Sequence, residues 1–425
     1  MDVRISPSSF RGSLRAVSSK SDAHRLLLCA ALSDVPTEIF LSDLSEDILA
    51  TMRALRTMGT VIEEPSSNSL LVSPLVCEKV LQTEIDCRES GSTLRFLLPV
   101  AASLFSQCSF RGSESLARRP LQPLLSQMQK NGVSYSSETI PLTLSGFLQS
   151  GSYLLPGNIS SQFLSGLLFA LPLLKGESTL SLSSPLESGG YVEMTLQTLS
   201  RFHIEISFDG SSFHLHGPQR YLSPERVFSE GDWSGAAFFL ALGALAGEIS
   251  VQDLSLSSLQ PDKVLFSLLQ TLGFFVSFEN TVVSSQKRPN SELLSRPVSI
   301  DVSAYPDLFP VLSVLSCART SETHLVNASR LRLKESDRIR SVCLMLRALG
   351  ANVEEHSDSL RIHGTGALRG GSVDGANDHR IVMAAAVASS LCESDVVIRG
   401  AQAVNKSYPQ FFQDFKTLGG TVHAL

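Results

Sequence analysis

The sequence repeats one pattern six times. Six segments share a layout in which a polar cluster runs straight into a stretch of mostly apolar residues: KSDAHR-LLLCAAL, SGSTLR-FLLPVAAS, SSQFLSG-LLFALPLL, DWSGAA-FFLALGAL, YPDLF-PVLSVLSC and NDHR-IVMAAAVASS. The residue before each apolar run is Arg25, Arg95, Gly166, Ala237, Phe309 and Arg380, in steps of 70 to 72 residues. A second marker keeps nearly the same period. ALRTMGTVIE, QMQKNGVSY, TLSRFHIEIS, LLQTLGFFVSF, MLRALGANVEE and FKTLGGTVHA each read as a helix end followed by a strand, turning at Gly59, Gly132, His203, Gly273, Gly350 and Gly419. Glycine at five of these six turns is what a left-handed helix C-cap selects. A chain built this way must stack copies of one supersecondary unit.

The two helix types differ. The first is apolar all round (LLFALPLL, IVMAAAVA), so burial on every side is expected. The second is amphipathic, with Ile48, Met52 and Leu55 on one face, and belongs on the outside. Six units pack most economically as two groups of three. The polar stretch SPERVFSEGDWSG reads as the crossover between halves. The N-terminal strand before residue 15 is left over and is expected to complete the last unit, so that the chain crosses twice. The expected division is residues 1–15 with 231–425 in one domain and 16–230 in the other.

Lys and Arg number 35 against 41 Asp and Glu, a net charge of −6, which argues against a general nucleic-acid or membrane-surface binder. The seven cysteines are scattered without a C-x-x-C pair, so neither a disulfide framework nor a zinc cluster is written here. MDVRISPSSFRGSLR lacks the apolar core of a signal peptide. The longest uncharged apolar stretch, Gly235 to Gly247, is shorter than the roughly 20 residues a bilayer requires. A soluble protein of a reducing compartment, the cytoplasm, is expected.

Three of the apolar helices carry Arg at the end of the polar cluster: Arg25, Arg95 and Arg380. A cation in a first helical turn opposes the macrodipole, at a cost of about 0.3–1 kcal/mol. An anion over the helix end reverses the sign, because backbone N–H groups, dipole and Arg then all favour it. Three equivalent positions favour anion sites over solvated flanks. SGST (90–93) and the pair Ser160, Ser161 suit phosphate by the same logic. In LRLKESDRIRS, a helix would put Lys334 and Arg338 on one face with Glu335 beside them. ARRP would place Arg119 just before a proline that starts a helix, and NKSYP puts Lys406 before a turn. His24 and His379 read as satisfied structural histidines. His214 and His216 alternate along a strand without partners and read as surface.

SKSDAHR, ESGSTLR, ARRP, SSQF, AYPDL, LKESDR, NDHR and NKSYP, in this order over the whole chain, resemble the enolpyruvyl transferase family in its shikimate 3-phosphate branch. The resemblance implies an inside-out α/β barrel pair. Each domain would hold three βαβαββ units, with helix N-termini facing an interdomain cleft that forms the active site. It implies transfer of the enolpyruvyl group of phosphoenolpyruvate to the 5-hydroxyl of shikimate 3-phosphate, releasing phosphate by addition–elimination on the way to chorismate and aromatic amino acids. Lys20, Ser21, Arg25, Ser160, Ser161, Ser188, Tyr191, Asp307 and Lys334 would hold shikimate 3-phosphate. Lys20, Gly91, Arg95, Arg119, Gln162, Arg338, Arg380 and Lys406 would hold phosphoenolpyruvate. Asp307 would take the hydroxyl proton, and Glu335 or Lys20 would protonate the vinyl carbon.

The resemblance implies no metal and no cofactor. It also implies no nucleic-acid or membrane partner, and a monomer is expected. The charges agree with such substrates: each phosphate brings about −1.5 to −2, so two substrates with a carboxylate each total about −5 to −6. Facing them are eight motif cations, Lys20, Arg25, Arg95, Arg119, Lys334, Arg338, Arg380 and Lys406.

The sequence departs from the family pattern at Glu89, Phe96, Arg330 and the looser Ser188-Gly189-Gly190-Tyr191. One alternative is the sister activity on UDP-N-acetylglucosamine, which typically places a Cys shortly before the ARRP-type Arg. Here that loop reads RGSESLARRP. A second alternative is a non-catalytic anion-binding repeat protein, against which Asp307 and Glu335 among the cations count.

Overall fold

The computed structural model describes residues 1–76 and 83–425; Cys77, one of the seven thiols, lies outside the described residues. The chain divides into two compact units, Lys20–Ser229 and Met1–Ser19 with Glu230–Leu425. Among the described residues the strands form six sheets of four strands each. Every sheet has the same plan: one parallel edge pair, then antiparallel pairing to the other side. In the sheet built on Gln107–Arg111, for example, Thr83–Asp86 pairs parallel and Leu142–Ser145 antiparallel. The repeat expectation holds, and the fold is mixed α/β.

The last repeat shows how the chain closes on itself. Val396–Arg399 pairs parallel with Gly371–Asp374, but its antiparallel partner is Val3–Ser6 from the other end of the chain. The next N-terminal strand, Phe10–Arg15, pairs parallel with Gly247–Gln252 in another sheet of the same unit. Two consecutive strands thus tie the chain start into two sheets.

Apolar sequence becomes buried helix. In Trp233–Ala246 nearly every residue is buried, and it packs on Phe309–Cys317 and His379–Ala388. In the Lys20–Ser229 unit, Gly91–Leu104 packs tightly on Ser161–Ala170. Gly166 permits that approach, since a Cβ there would sit 2.3 Å from the Arg95 carbonyl oxygen. The amphipathic helices are the outer ones: Glu46–Met58 buries Ile48, Met52 and Leu55 and leaves Arg53 and Arg56 outside. All six turn positions have positive φ, from 109° at Gly59 to 59° at His203. His203 therefore adopts the left-handed conformation that glycine supplies elsewhere, at a cost of roughly 1–2 kcal/mol.

Each unit has its own core. One is centred on residues such as Trp233, Phe238, Leu312 and Val387, the other on Leu27, Leu97, Leu167 and Phe169. The six described cysteines are free and buried. Among the described residues, no helix is long and apolar enough to cross a membrane.

Candidate active-site residues

In the Lys20–Ser229 unit the motif residues gather at the starts of the buried helices. Lys20 opens the helix Lys20–Leu32 and pairs with Asp47 at 2.8 Å. Arg25 is 3% exposed. Its Nε donates to Thr195 Oγ1 at 2.9 Å, its Nη2 to the Tyr191 carbonyl at 2.8 Å, and its Nη1 to the Ser21 carbonyl. The guanidinium also lies over the Phe96 ring, 5.3 Å from its centroid. Burial lowers its pKa to about 10, which leaves it charged at neutral pH. Arg25 thus pins the Gly189–Arg201 helix, with Tyr191 in its first turn, to its own.

The second cluster of this unit surrounds Gly91. Ser90 caps the helix by accepting from the Thr93 amide. Arg95 Nη1 donates to Gln162 Oε1 at 2.8 Å, and Gln162 Nε2 donates to Ser92 Oγ at 2.9 Å. A Cβ on Gly91 would lie 2.8 Å from Arg95 Nη1 and 2.9 Å from Arg119 Nη1, so glycine is what lets both guanidinium groups converge. Ser160 and Ser188 stand at the N-caps of Ser161–Ala170 and Gly189–Arg201, and neither side chain caps its helix. Ser188 adopts φ 52°, a strained conformation for serine.

His24, next to Arg25, is buried, with Nδ1 2.7 Å from Thr51 Oγ1. Burial, helped by Lys20 and Arg25, lowers its pKa to about 3, so it stays neutral. The pairing of Thr51 with Thr93 at 2.6 Å links it on to the Gly91 turn.

In the Glu230–Leu425 unit the cluster is built around Arg338, whose side chain is 1% exposed. Nη1 donates to Asp307 at 2.6 Å, Nη2 to Glu335 at 2.5 Å and Nε to Asp378 at 2.8 Å. Asp378 is fully buried; it caps His379–Ala388 by accepting from the Arg380 amide and also accepts from Ser336. Arg380 Nη2 donates to the other Asp307 oxygen at 2.9 Å, and Nη1 to the Asp307 carbonyl at 3.3 Å. Asp307 lies in the Pro306–Leu308 turn that leads into a buried helix. Burial alone would raise its pKa, but Arg380, Lys334 and Arg338 outweigh that and hold it below the usual carboxylate range. Lys334 is lowered to about 8, first by burial, against the pull of Asp307. Lys406 Nζ donates to the Asn377 carbonyl at 2.6 Å.

Some expectations need correction. Lys334 and Arg338 do not share a helix: Ser329–Leu333 is a short 3₁₀ turn, Lys334 is extended, and a new helix starts at Arg338. Asp337 makes that break by capping the helix, accepting from the Arg340 amide. Pro120 starts no helix; Arg119 lies in the connection between Glu114–Ala117 and Leu124–Lys130. His214 and His216 are on a strand but have acidic neighbours, Asp209 at 2.8 Å and Glu177 at 4.0 Å. The cations are also less unopposed than their motifs suggest, because Asp47 and Asp378 hold Lys20 and Arg338. A lone acid 27 or 40 residues away has no sequence mark as a partner; only the cap position of Asp378, just before a helix, was readable.

Among the described residues, no group of three or more His, Cys, Asp or Glu is placed to hold a metal ion. What the arrangement offers is cations able to hold anions and, in Asp307, a carboxylate kept ionised by Arg380, Lys334 and Arg338.

Solved structures with this architecture define the class. The EPSP synthase from Acinetobacter baumannii matches with a TM-score of 0.81 at 22% identity, covering 100% of both chains. The enolpyruvyl transferase NikO from Streptomyces tendae matches at 0.80 and 17% identity, over 99% of this chain and 98% of that one. The fold is that of the enolpyruvyl transferases.

Sequence relatives narrow it. The family model of EPSP synthase (3-phosphoshikimate 1-carboxyvinyltransferase) matches residues 5–415. A 3-phosphoshikimate 1-carboxyvinyltransferase of Clostridium acetobutylicum is 41% identical over 429 residues, covering 99% of this chain and 98% of the relative. One of Clostridium kluyveri is 41% identical over 425 residues, with the same coverage. The chain belongs to the EPSP synthase family.

Proposed function

We propose that this chain transfers the enolpyruvyl group of phosphoenolpyruvate to the 5-hydroxyl of shikimate 3-phosphate. The observation that carries the mechanism is Asp307, a carboxylate fixed by Arg338 and Arg380 and kept ionised by them and Lys334. Arg25, Ser21, Ser160, Ser161, Ser188, Tyr191 and Lys334 hold shikimate 3-phosphate. Gly91, Arg95, Arg119, Gln162, Arg380 and Lys406 hold phosphoenolpyruvate, with Lys20 serving both. Arg338 already serves three carboxylates, so an incoming anion reaches it only by taking the place of one of them.

Asp307 takes the 5-hydroxyl proton while the oxygen attacks C2 of phosphoenolpyruvate. A carboxylate held so far down is a weak base. Arriving anions share the charge of Arg380 and Lys334, and that raises its basicity when substrate is present. C3 is protonated by Lys20, an ammonium beside Asp47, or by Glu335 once it has itself taken up a proton beside Arg338. The tetrahedral adduct then returns a methyl proton to the group that supplied it as its C–O bond to phosphate breaks and phosphate leaves. The fixed cations stabilise the charge throughout. Both clusters belong to one chain, so a monomer suffices; six free, buried thiols suit a reducing cytoplasm.

The test is phosphate release from phosphoenolpyruvate with shikimate 3-phosphate and UDP-N-acetylglucosamine offered in parallel. Release with shikimate 3-phosphate alone is expected. Release with the sugar nucleotide alone would overturn the acceptor, and silence with both would favour a binding protein.

A further inference from the structure

Asp262 is a buried carboxyl with no part in the chemistry above. It is 1% exposed and sits in the short turn Pro261–Val264, which packs on the helix Trp233–Ala246. Its Oδ2 accepts from Ser234 Oγ in the first turn of that helix, while its Oδ1 has no hydrogen-bond partner. The Pro306–Leu308 turn bearing Asp307 packs on the same helix, and so does His379–Ala388, which carries Arg380. The elements that carry Asp262, Asp307 and Arg380 thus all pack on one helix.

The charged groups facing Asp262 are Asp307 and Asp232, which repel its carboxylate form, and Arg380, which attracts it. The following helix, Leu265–Thr271, carries no charge, and Lys263 of its own turn donates to the Leu256 carbonyl. Burial and then Asp307 push Asp262 up to about 7, while Asp307 moves the other way. Two neighbouring carboxyls separated in this manner take different roles.

We propose that Asp262 is a positioning residue for the Asp307–Arg380 pair, leaving Arg380 to Asp307 as a neutral acid and competing for it as a carboxylate. The inference rests on the reading of Asp307 as the base. Bound substrate anions add negative charge near Arg380 and keep Asp262 neutral. The competition therefore belongs to the free protein and shows in kcat/KM.

The experiment compares kcat/KM for phosphoenolpyruvate in wild type and Asp262→Asn from roughly pH 5.5 to roughly pH 9, spanning the range over which such a carboxyl would titrate. Substrate ionisations are common to both proteins, so the ratio of variant to wild type isolates Asp262. That ratio is expected to climb about tenfold with rising pH, as the wild type alone gains a competing charge. Ser234→Ala removes a hydrogen bond that favours the carboxylate, so its ratio to wild type should climb about threefold. A flat Asp262→Asn ratio, whatever its height, overturns the proposal. Should that variant not fold, a flat Ser234→Ala ratio overturns it instead. A wild type that releases no phosphate at any pH sinks the reading of the function, a result distinct from either.

Discussion

Two buried arginines, Arg25 in one unit and Arg338 in the other, are held in opposite ways, although Lys20 of the first unit also has a carboxylate partner, Asp47. In Lys20–Ser229, Arg25 is held by a hydroxyl and two carbonyls, and Arg95 donates to an amide. In Glu230–Leu425, Arg338 and Arg380 are bound to Asp307, Glu335 and Asp378. At Arg25 the neutral partners fix the guanidinium without offsetting its charge. Carboxylate partners offset the charge, and in return they are fixed, with Asp307 among them kept ionised. On the proposed function, the same helix start, repeated, serves as an anion holder in one unit and as a seat for a base in the other.

The largest expected effect breaks the second cluster. Asp307→Asn should lower kcat by about 10³, as loss of a general base does, with steady-state phosphate release as the measurement. In the first cluster, Arg25→Ala should raise the KM for shikimate 3-phosphate by about 10², equivalent to about 2.7 kcal/mol. An unchanged KM would mean that neutral partners do not mark a holder. Gly91→Ala would push Arg95 and Arg119 apart, and an increase of about tenfold in the KM for phosphoenolpyruvate is expected, with kcat less affected. Stability separates the clusters too. Arg338→Ala leaves three carboxylates together and should cost about 3–5 kcal/mol in denaturant unfolding.

The smallest effect is one of pH. Lys334 is charged below about 8 and neutral above it. Affinity for shikimate 3-phosphate should therefore fall several-fold as pH rises through about 8, and Lys334→Arg should flatten that fall.

Much of this was legible in the sequence because a repeated defect is visible where a single one is not. Arg25, Arg95 and Arg380 stood out as cations where a helix start disfavours them, and the glycine turns recurred because only a left-handed cap ends those helices economically. What stayed hidden was pairing at a distance. Asp47 meets Lys20 across 27 residues and Asp378 meets Arg338 across 40, and no periodicity encodes either. The helix break at Lys334 was readable in principle, since Asp337 is a good N-cap residue, but the charge density of KESDR resembles a solvated helix face. Asp262, in the plain stretch LQPDK, carried no signal apart from a proline before it.

The division of labour is tested most directly by measuring two quantities on two variants: equilibrium binding of shikimate 3-phosphate and the single-turnover rate at saturation, for Arg25→Ala and Asp307→Asn. The prediction is a crossed result, with Arg25→Ala losing affinity and keeping most of its saturated rate, and Asp307→Asn keeping affinity within a few-fold while its rate collapses. If both variants lose binding and rate together, the two clusters are not divided into a holder and a base, and the account is wrong.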